Sequence, residues 1–475
     1  MNKKEQLHAE ILRKVKDYYQ EAFPAQPFVA GKTRVNYGGR HFDEKELINL
    51  VDSSLEFWLT SGRYVKQFEE RLSKFIGVKH TILTNSGSSA NLLAFMALTQ
   101  EELGERRIKR GDEVITVAAG FPTTVAPILQ YGAVPVFVDV ELETYNLDCS
   151  QLENALSPKT KAIMIAHTLG NPFNVEKIKQ FCQTNNLWLI EDNCDALGSK
   201  YRMQNPSVPN VTSPFDKGEF SDKSPLSKGV GGIDFQYTGT FGDIATCSFY
   251  PPHHMTMGEG GALLTNNPLL KKLILSLRDW GRDCICESGQ DNLCNNRFSK
   301  QYGELPYGYD HKYVYSRFGY NLKVTDMQAA VGCAQLDKLP TFIERRKENH
   351  AYLLTGLKSL EDKFILPYAT KDSEPSWFGF MLTVKENTGF SREAIVNHLE
   401  KNNIQTRMLF AGNLLKHPCF ASLVKDLDYR VIGDLSATDT IMNHTFWVGV
   451  YPGMTKDKLD YIISSINLFL LEKKH

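Results

Sequence analysis

The cysteines of this chain are unevenly distributed, since three of the nine fall within eleven residues. They form the pattern Cys284-x-Cys286-x7-Cys294 in the polar loop CICESGQDNLCNN. Thiolates this close together in such a loop are poor core residues, and three soft sulfur ligands require a fourth. The spacing differs from the usual zinc ligand pairs and from common ferredoxin motifs. The alternative is a surface loop whose cysteines have no role.

Polar residues also follow two strand-like runs. The run TILTN at 81–85 leads into Ser86, Gly87 and Ser88 and then into a helical pattern, so that N–H groups and hydroxyls meet at a helix N-terminus. Such a terminus can bind an anion, although a capped helix is the simpler interpretation. Asp192 ends the run WLIED, at the edge where open α/β sheets bind ligands. A carboxylate there can keep a pyridinium nitrogen protonated, but alone Asp192 is more simply a helix cap.

These residues belong to a long stretch in which strand-like and helical patterns alternate. The alternation predicts an α/β domain over residues 50–335, with a mostly parallel sheet covered by helices. Residues 336–475 predict a smaller α+β domain, and residues 1–49 an N-terminal helical segment that packs or dimerises. The strand-like runs of the large domain are TILTN, EVITV at 113–117, VPVFVDV at 134–140, AIMIAH at 162–167, WLIED at 188–192 and ALLTN at 262–266.

One segment interrupts this alternation. Residues 202–237 contain SPFDKGEFSDK followed by SPLSKGVGGID, an echo rich in Ser, Pro, Gly and Lys. A segment of this composition cannot bury a core. We predict a disordered, exposed insertion without a role of its own.

The overall composition excludes several classes of function. The 54 Lys and Arg balance 55 Asp and Glu, so there is no basic excess to neutralise a nucleic-acid backbone. The N-terminus carries charges throughout, and no uncharged apolar run approaches the ~20 residues of a membrane span. Nine cysteines, an odd number and thinly spread apart from the three described above, argue against a secreted disulfide framework. We therefore expect a cytoplasmic enzyme that binds neither nucleic acid nor membrane.

Taken together and in this order, the segments resemble the DegT/DnrJ/EryC1/StrS family of sugar aminotransferases. These are fold type I pyridoxal-phosphate enzymes, similar to aspartate aminotransferase. The family pattern has a phosphate-binding SGT, an aromatic residue stacked on the cofactor ring, a strand ending in Glu-Asp, SFxxxK before GEGG, and a later GYN segment. In this chain the pattern falls on Ser86, Gly87, Ser88, Phe121, Asp192, Ser248 and Asn321. In the family that Asn reaches the phosphate of the neighbouring subunit, which implies a homodimer.

The chain departs from the family pattern at position 253. An aminotransferase needs a primary amine there, because only an amine can bind the cofactor covalently and return the amino group. His253 has none, but an imidazole is a competent general acid or base. The change favours proton transfer to a non-covalently held pyridoxamine phosphate. The alternative is an aminotransferase that has lost its activity.

A branch of the family, the CDP-4-keto-6-deoxyglucose 3-dehydratases, has His at this position and carries a [2Fe–2S] cluster on Cys-x57-Cys-x-Cys-x7-Cys. The resemblance adds Cys194 to Cys284, Cys286 and Cys294 as cluster ligands, although 89 residues separate Cys194 from Cys284 here. This spacing of 89 residues exceeds the 57 of the branch pattern by an amount close to the length of the insertion at 202–237. Tyr250 and Asp195 match positions that the branch uses at its active site.

The resemblance implies C3 deoxygenation of a CDP-linked 4-keto-6-deoxyglucose on the way to 3,6-dideoxyhexoses of lipopolysaccharide O-antigens. It also implies an NADH-dependent flavin and iron–sulfur reductase as partner. Two alternatives remain: a cluster-free dehydratase acting on a GDP-4-keto-6-deoxymannose, and a non-catalytic cofactor-binding relative. The remaining cysteines, Cys149, Cys182, Cys247, Cys333 and Cys419, are expected to be packing residues.

Overall fold

The structure is a computed structural model of the 475-residue chain. It describes residues 1–203, 235–284, 286, 289–293 and 295–473. Cys294 and most of the predicted insertion therefore lie outside the described residues.

Twelve α-helices occur in the described ranges. They are α1 (Lys3–Ala22), α2 (Glu44–Glu56), α3 (Arg63–Ile76), α4 (Gly87–Leu98), α5 (Pro122–Gln130), α6 (Leu152–Ala155), α7 (Val175–Thr184), α8 (Pro268–Arg278), α9 (Asp326–Leu357), α10 (Arg392–Lys401), α11 (Ser436–His444) and α12 (Lys456–Glu472).

Fifteen strands occur in the same ranges. They are β1 (His80–Thr84), β2 (Glu113–Val117), β3 (Val134–Val138), β4 (Thr160–Ala166), β5 (Trp188–Asp192), β6 (Lys200–Tyr201), β7 (Gln236–Tyr237), β8 (Ile244–Ser248), β9 (Gly261–Thr265), β10 (Phe364–Ile365), β11 (Ser373–Glu374), β12 (Gly379–Val384), β13 (Arg407–Met408), β14 (Arg430–Val431) and β15 (Thr445–Gly449).

The large domain is built on an eight-stranded sheet in the order β1-β9-β8-β5-β4-β2-β3-β14. The strands from β8 to β14 are paired in parallel, whereas β9 is antiparallel to both of its neighbours. Strands β1 and β8 therefore run in the same direction, and seven strands end at one edge. The interior strands β2 and β5 are buried along their whole length, as expected for a sheet covered on both faces. The predicted mostly parallel α/β sheet is confirmed.

The C-terminal part of the chain forms a second, antiparallel sheet in the order β10-β12-β15-β13. Its core includes Phe380, Phe446 and Ile466, which are fully buried beneath α9, α10 and α12. Two details differ from the sequence-based expectation. Helix α9 begins at Asp326, so the boundary drawn at 335–336 lies inside it, and β14 from this part of the chain joins the large sheet.

The predicted N-terminal helix is present as α1, which starts at a capping box made by Asn2 and Glu5. It lies on α2, where His8 Nε2 is 2.8 Å from a carboxylate oxygen of Asp52. None of its residues is buried. In the described part of the chain, no helix combines the length and apolar character that crossing a bilayer requires.

The ends of the predicted insertion are ordered in two short strands. Gln236–Tyr237 pairs with Lys200–Tyr201, and the latter strand pairs in turn with Ser373–Glu374. Gln236 and Tyr237 thus belong to a three-stranded sheet rather than to the insertion. The prediction of disorder for the remaining segment falls on residues outside the description.

Candidate active site

A cavity of about 420 Å³ lies at the edge of the large sheet where its parallel strands end. Side chains from the segments after β1, β2, β4, β5 and β8 meet there because parallel strands deliver their carboxyl ends to one side. Strands β13 and β15 of the C-terminal sheet complete the lining. Ten of the residues predicted from the sequence line this cavity: Ser86, Gly87, Ser88, Phe121, Asp192, Cys194, Asp195, Ser248, Tyr250 and His253.

Asp192 is the most strongly fixed carboxylate of the cavity. Its Oδ2 accepts hydrogen bonds from Asn91 Nδ2 at 2.8 Å and Thr124 Oγ1 at 2.7 Å, and the side chain is almost completely buried. Asn91 is held in turn by Thr246 Oγ1, which donates to its Oδ1 at 2.7 Å. The backbone N–H of Cys194 donates to the other oxygen of Asp192 at 3.1 Å. Asp192 is therefore held by a buried network and is more than a helix cap.

The N-terminus of α4 forms another part of the cavity. Ser86 is its N-cap, and its hydroxyl accepts the N–H of Ser89 at 3.1 Å. Gly87 touches β8 so closely that a Cβ there would lie 2.4 Å from the Cβ of Ser248. The start of α4 can pack this closely on β8 only because residue 87 has no side chain. The hydroxyls and free N–H groups of this helix start suit a phosphate group.

His253 lies in the loop after β8, with its side chain 14% exposed. Its Nδ1 is 3.1 Å from the carbonyl oxygen of Ser248, which can only accept a hydrogen bond. In the neutral ring Nδ1 therefore carries the proton, and the lone pair is on Nε2. Burial lowers the pKa of His253 to about 4, even though the bond to Ser248 acts in the opposite direction. The imidazole is thus an unprotonated base at neutral pH.

Asp195 and Tyr250 lie beside this imidazole. Asp195 Oδ1 is 3.7 Å from His253 Nε2, and the Tyr250 ring packs edge-on against the His253 ring with centroids 6.3 Å apart. Burial, together with the charge of Asp192, raises the pKa of Asp195 to about 8. His254 is separate from this group, because it is buried with Nε2 at 2.7 Å from the carbonyl oxygen of Ser376 and does not line the cavity.

A buried guanidinium fixes the backbone that carries His253. Arg346 of α9 is 1% exposed and donates to the carbonyl oxygens of Pro252 at 3.4 Å and His253 at 3.1 Å. It also donates to the carbonyl oxygens of Trp377 at 3.2 Å and Phe378 at 3.4 Å. The loop of His253 is thereby joined to the segment just before β12, where Phe378 packs edge-on against the imidazole with ring centroids 5.4 Å apart.

Glu191, next to Asp192 in β5, binds the backbone of the loop between β7 and β8. Its oxygens accept the N–H groups of Gly239 at 2.9 Å and Phe241 at 2.7 Å, and that of Gly242. The Nδ1 of His167 accepts the N–H of residue 173, so Nε2 donates to Glu191 at 3.0 Å. Although burial opposes ionisation, these hydrogen bonds keep the pKa of the Glu191 carboxyl below its ordinary value.

Among the residues predicted to bind the cofactor, Asn321 lies outside the cavity lining. It is exposed, does not line the cavity, and its backbone forms a bridge with Asp279. Phe121 does line the cavity, where it is 47% exposed and packs edge-on against Phe410 at 5.6 Å. The roles assigned to these two residues remain predictions.

The four predicted cluster ligands are not seen together. Cys194 lines the large cavity, whereas Cys284 and Cys286 line a much smaller one with Asp291, Arg297 and Lys312. Among the residues that the structure describes, no group of three or more His, Cys, Asp and Glu is arranged to hold a metal ion. Of the remaining thiols, Cys182, Cys247 and Cys333 are buried as expected and Cys149 is partly buried. The expectation for Cys419 is wrong, since this residue is exposed.

Several residues of the site were not singled out from the sequence. Asn91 and Thr124 each lie within one helical turn of a predicted site residue, Ser88 and Phe121 respectively. Arg346 and Arg407 come from the C-terminal part of the chain, and nothing in their local sequence connects them to a sheet edge more than 80 residues away.

These residues fit pyridoxal or pyridoxamine phosphate. The hydroxyls and N–H groups at the start of α4 suit the phosphate. The buried carboxylate of Asp192 suits a protonated ring nitrogen. No lysine occurs among the described residues that line the cavity, so the cofactor would be held without a covalent bond.

The comparisons with known proteins agree with this assignment. The DegT/DnrJ/EryC1/StrS aminotransferase family matches residues 41–467, and the chain belongs to this family. Lipopolysaccharide biosynthesis protein RfbH of Salmonella typhimurium is 52% identical over 463 residues, which cover 98% of each chain. The dTDP-4-dehydro-2,6-dideoxy-D-glucose 3-dehydratase of Saccharopolyspora spinosa is 46% identical over 97% of this chain and 91% of that protein.

A solved structure extends the comparison to a cofactor complex. E. coli GDP-4-keto-6-deoxy-D-mannose-3-dehydratase with bound hydrated PLP matches with a TM-score of 0.75 and 27% identity, covering 91% of this chain and 99% of that one. The fold is that of the pyridoxal-phosphate-dependent aminotransferases. The chain is an enzyme of deoxysugar biosynthesis, with the activity of a sugar 3-dehydratase or aminotransferase.

Proposed function

We propose that this enzyme removes the C3 hydroxyl of CDP-4-keto-6-deoxy-D-glucose with pyridoxamine phosphate as cofactor. The observation that carries the proposal is His253, an unprotonated base in the cavity where an aminotransferase needs an amine. Without an amine at this position the enzyme can transfer protons, but it cannot form the covalent bond to the cofactor on which turnover of an aminotransferase depends. The 3-dehydratases among its relatives support the same reaction type.

The residues of the chain would divide the work as follows. The start of α4 binds the cofactor phosphate, and Asp192 holds a proton at the ring nitrogen. His253 Nε2 takes a proton from C4′, because its Nδ1 is already committed to Ser248. Bound pyridoxamine phosphate supplies the amine that condenses with the C4 ketone and a ring that accepts electrons as the C3 hydroxyl leaves.

We also propose that Cys194, Cys284, Cys286 and Cys294 hold a [2Fe–2S] cluster, which would supply electrons one at a time. The support is the spacing of the thiols and the shared cavity of Cys284 and Cys286. Ion pairs hold this loop, since its Asp291 pairs with Lys312 and with Arg297, whose Nη1 is 3.6 Å from an Asp291 oxygen. A reductase with flavin and iron–sulfur centres would deliver the electrons of NADH. We further propose a cytoplasmic homodimer, with Asn321 reaching the site of the second copy.

The test begins with anaerobic purification and measurement of iron, sulfide and pyridoxamine in the same sample. The protein is then assayed on CDP-4-keto-6-deoxyglucose with NADH and a reductase of this kind. The proposal expects a 3-deoxy product and no amino sugar when glutamate is supplied. An amino-sugar product would refute it. Turnover of the GDP-linked mannose derivative by an iron-free protein would instead favour the cluster-free dehydratase.

The cluster is tested by Cys286→Ser, with Cys419→Ser as a matched control at an exposed thiol. Because a hydroxyl is a poor ligand for iron, Cys286→Ser should lose iron, whereas Cys419→Ser should keep it. Cys286→Ser should still exchange solvent hydrogen into C4′ and fail only in forming the 3-deoxy product. An iron-free Cys286→Ser protein with the parent rate of product formation would show that the electron-transfer role is wrong.

A further inference from the structure

Arg407 is the only lysine or arginine among the described residues that line the cavity. The same lining contains three carboxylates, Asp192, Asp195 and Glu259. The cavity therefore has one permanent positive charge, and it lies on β13, at the edge of the C-terminal sheet. Within the described lining, a substrate with several negative charges would therefore form its ion pair with the guanidinium of Arg407.

The backbone under Arg407 is held in place before any ligand arrives. Thr406 is buried, and both its N–H and its hydroxyl donate to Glu400 Oε1, at 2.6 and 2.9 Å. Arg407 itself is paired with Trp447 of β15. A side chain on such a strand is presented at a fixed height above the sheet.

The guanidinium is also oriented. Its Cζ lies 4.0 Å from the ring centroid of Tyr37, and Tyr37 packs edge-on against Trp447 at 5.3 Å. Nη1 donates to the carbonyl oxygen of Thr406 at 2.8 Å. Stacking on an aromatic face leaves the edge of the guanidinium, which carries its N–H donors, available to an anion.

Arg407 has no carboxylate partner within the described part of the chain, and the bond to Thr406 is its only hydrogen bond there. The side chain is exposed. Arg346 provides a contrast, because its buried guanidinium is occupied by four carbonyl oxygens. An oriented arginine with free donors in a cavity is suited to two parallel hydrogen bonds to a phosphate or carboxylate.

On the basis of the proposed function, we propose that Arg407 binds the diphosphate of the nucleotide sugar. The start of α4 suits the cofactor phosphate, whereas Arg407 is the one lysine or arginine that the described cavity lining offers to the diphosphate. Arg407 would then be a binding residue that fixes the distance between the nucleotide and the base, His253. The aromatic contacts Tyr37–Trp447, Trp447–Phe378 and Phe378–His253 connect the two ends of the cavity.

The test measures the dissociation constants of CDP, cytidine and pyridoxamine phosphate by calorimetry for the parent, Arg407→Gln and Arg407→Lys. Arg40→Gln is the matched control, since Arg40 is also exposed and stacked on an aromatic ring, Phe42, but lies outside the cavity lining. Arg407→Gln should weaken CDP by roughly 10- to 150-fold, the range for hydrogen bonds to charged groups. Arg407→Lys should lose less. Cytidine, pyridoxamine phosphate and the control should be unaffected.

Two results would overturn the assignment. One is a folded Arg407→Gln protein that binds CDP within about twofold of the parent, well below the range for such hydrogen bonds. The other is an equal loss of pyridoxamine phosphate affinity, which would assign the arginine to the cofactor. If the parent prefers dTDP or GDP, the proposed nucleotide is wrong, yet Arg407→Gln should still lose affinity for that diphosphate. A parent that binds no nucleoside diphosphate would refute both proposals.

Discussion

Replacing His253 by Asn tests the roles of its two ring nitrogens separately. The Asn amide can still donate to the carbonyl of Ser248, as Nδ1 does at 3.1 Å, but it has no basic atom in place of Nε2. The neighbouring histidine cannot take over, because His254 is buried and bonded to Ser376. We therefore expect loss of the proton-transfer contribution with the fold and the phosphate site intact.

The size of the effect follows from the role. A positioned general base contributes about 10²–10⁴-fold, which corresponds to roughly 2.7–5.4 kcal/mol of activation free energy. The assay is the exchange of solvent deuterium into C4′ of bound pyridoxamine phosphate in the presence of the CDP-sugar, which requires no reductase. The affinity for pyridoxamine phosphate should remain close to that of the parent.

His254→Asn is the matched control for this experiment. Since His254 is 2% exposed and does not line the cavity, its replacement should lower the melting temperature more than the exchange rate. Exchange by His253→Asn at a rate within a few-fold of the parent would refute the assignment of His253 as the base. So would an equal loss of exchange in the two variants at a temperature where both are folded.

Three further predictions concern the same region. His253→Lys should form a covalent, borohydride-reducible bond with pyridoxal phosphate, seen as a yellow protein that bleaches; no such bond would mean that residue 253 does not face the cofactor. Glu191 has a lowered pKa, so the folded state favours its carboxylate, and this stabilisation is complete above the ordinary Glu value of about 4.3 and is lost as pH falls through the folded pKa. Glu191→Gln should therefore lose stability at pH 7, by about 1.5–3 kcal/mol in urea unfolding, and differ less from the parent in acid; equal differences at both pH values would contradict this. Gly87→Ala should weaken cofactor binding and destabilise the fold by roughly 1–3 kcal/mol because its methyl group would overlap Ser248, and a fully loaded, equally stable variant would show that the contact can relax.

The strands that carry the site could be predicted closely from the sequence. The runs EVITV and WLIED match β2 and β5 residue for residue, because each is a short apolar run buried on both faces. Asp192 follows as the last residue of such a strand. The convergence of Ser86, Asp192 and Ser248 was implied by the family pattern and by the rule that ligands bind where parallel strands end.

Other features depend on contacts that a linear pattern does not contain. The reversal of β9 leaves no trace in its composition, because a strand buried on both faces is equally apolar in either direction. Helix α9 passes through Pro340, although proline usually interrupts a helix, because packing of the helix outweighs one missing N–H. Arg407 reaches the cavity through the pairing of β13 with β15, a long-range contact.

The hydrogen bonds between Arg346 and the loop of His253 also have a consequence for how a different reaction could arise in this fold. The guanidinium grips the carbonyl oxygens of residues 252 and 253, and the N–H of residue 253 donates to the carbonyl oxygen of Tyr250 at 3.0 Å. These backbone contacts would persist with a different side chain at position 253. The backbone at position 253 is therefore held independently of its side chain. An amine or an imidazole can be placed there without a change in the surrounding fold. A change of reaction class could therefore begin with a single substitution, while improvements elsewhere accumulate afterwards.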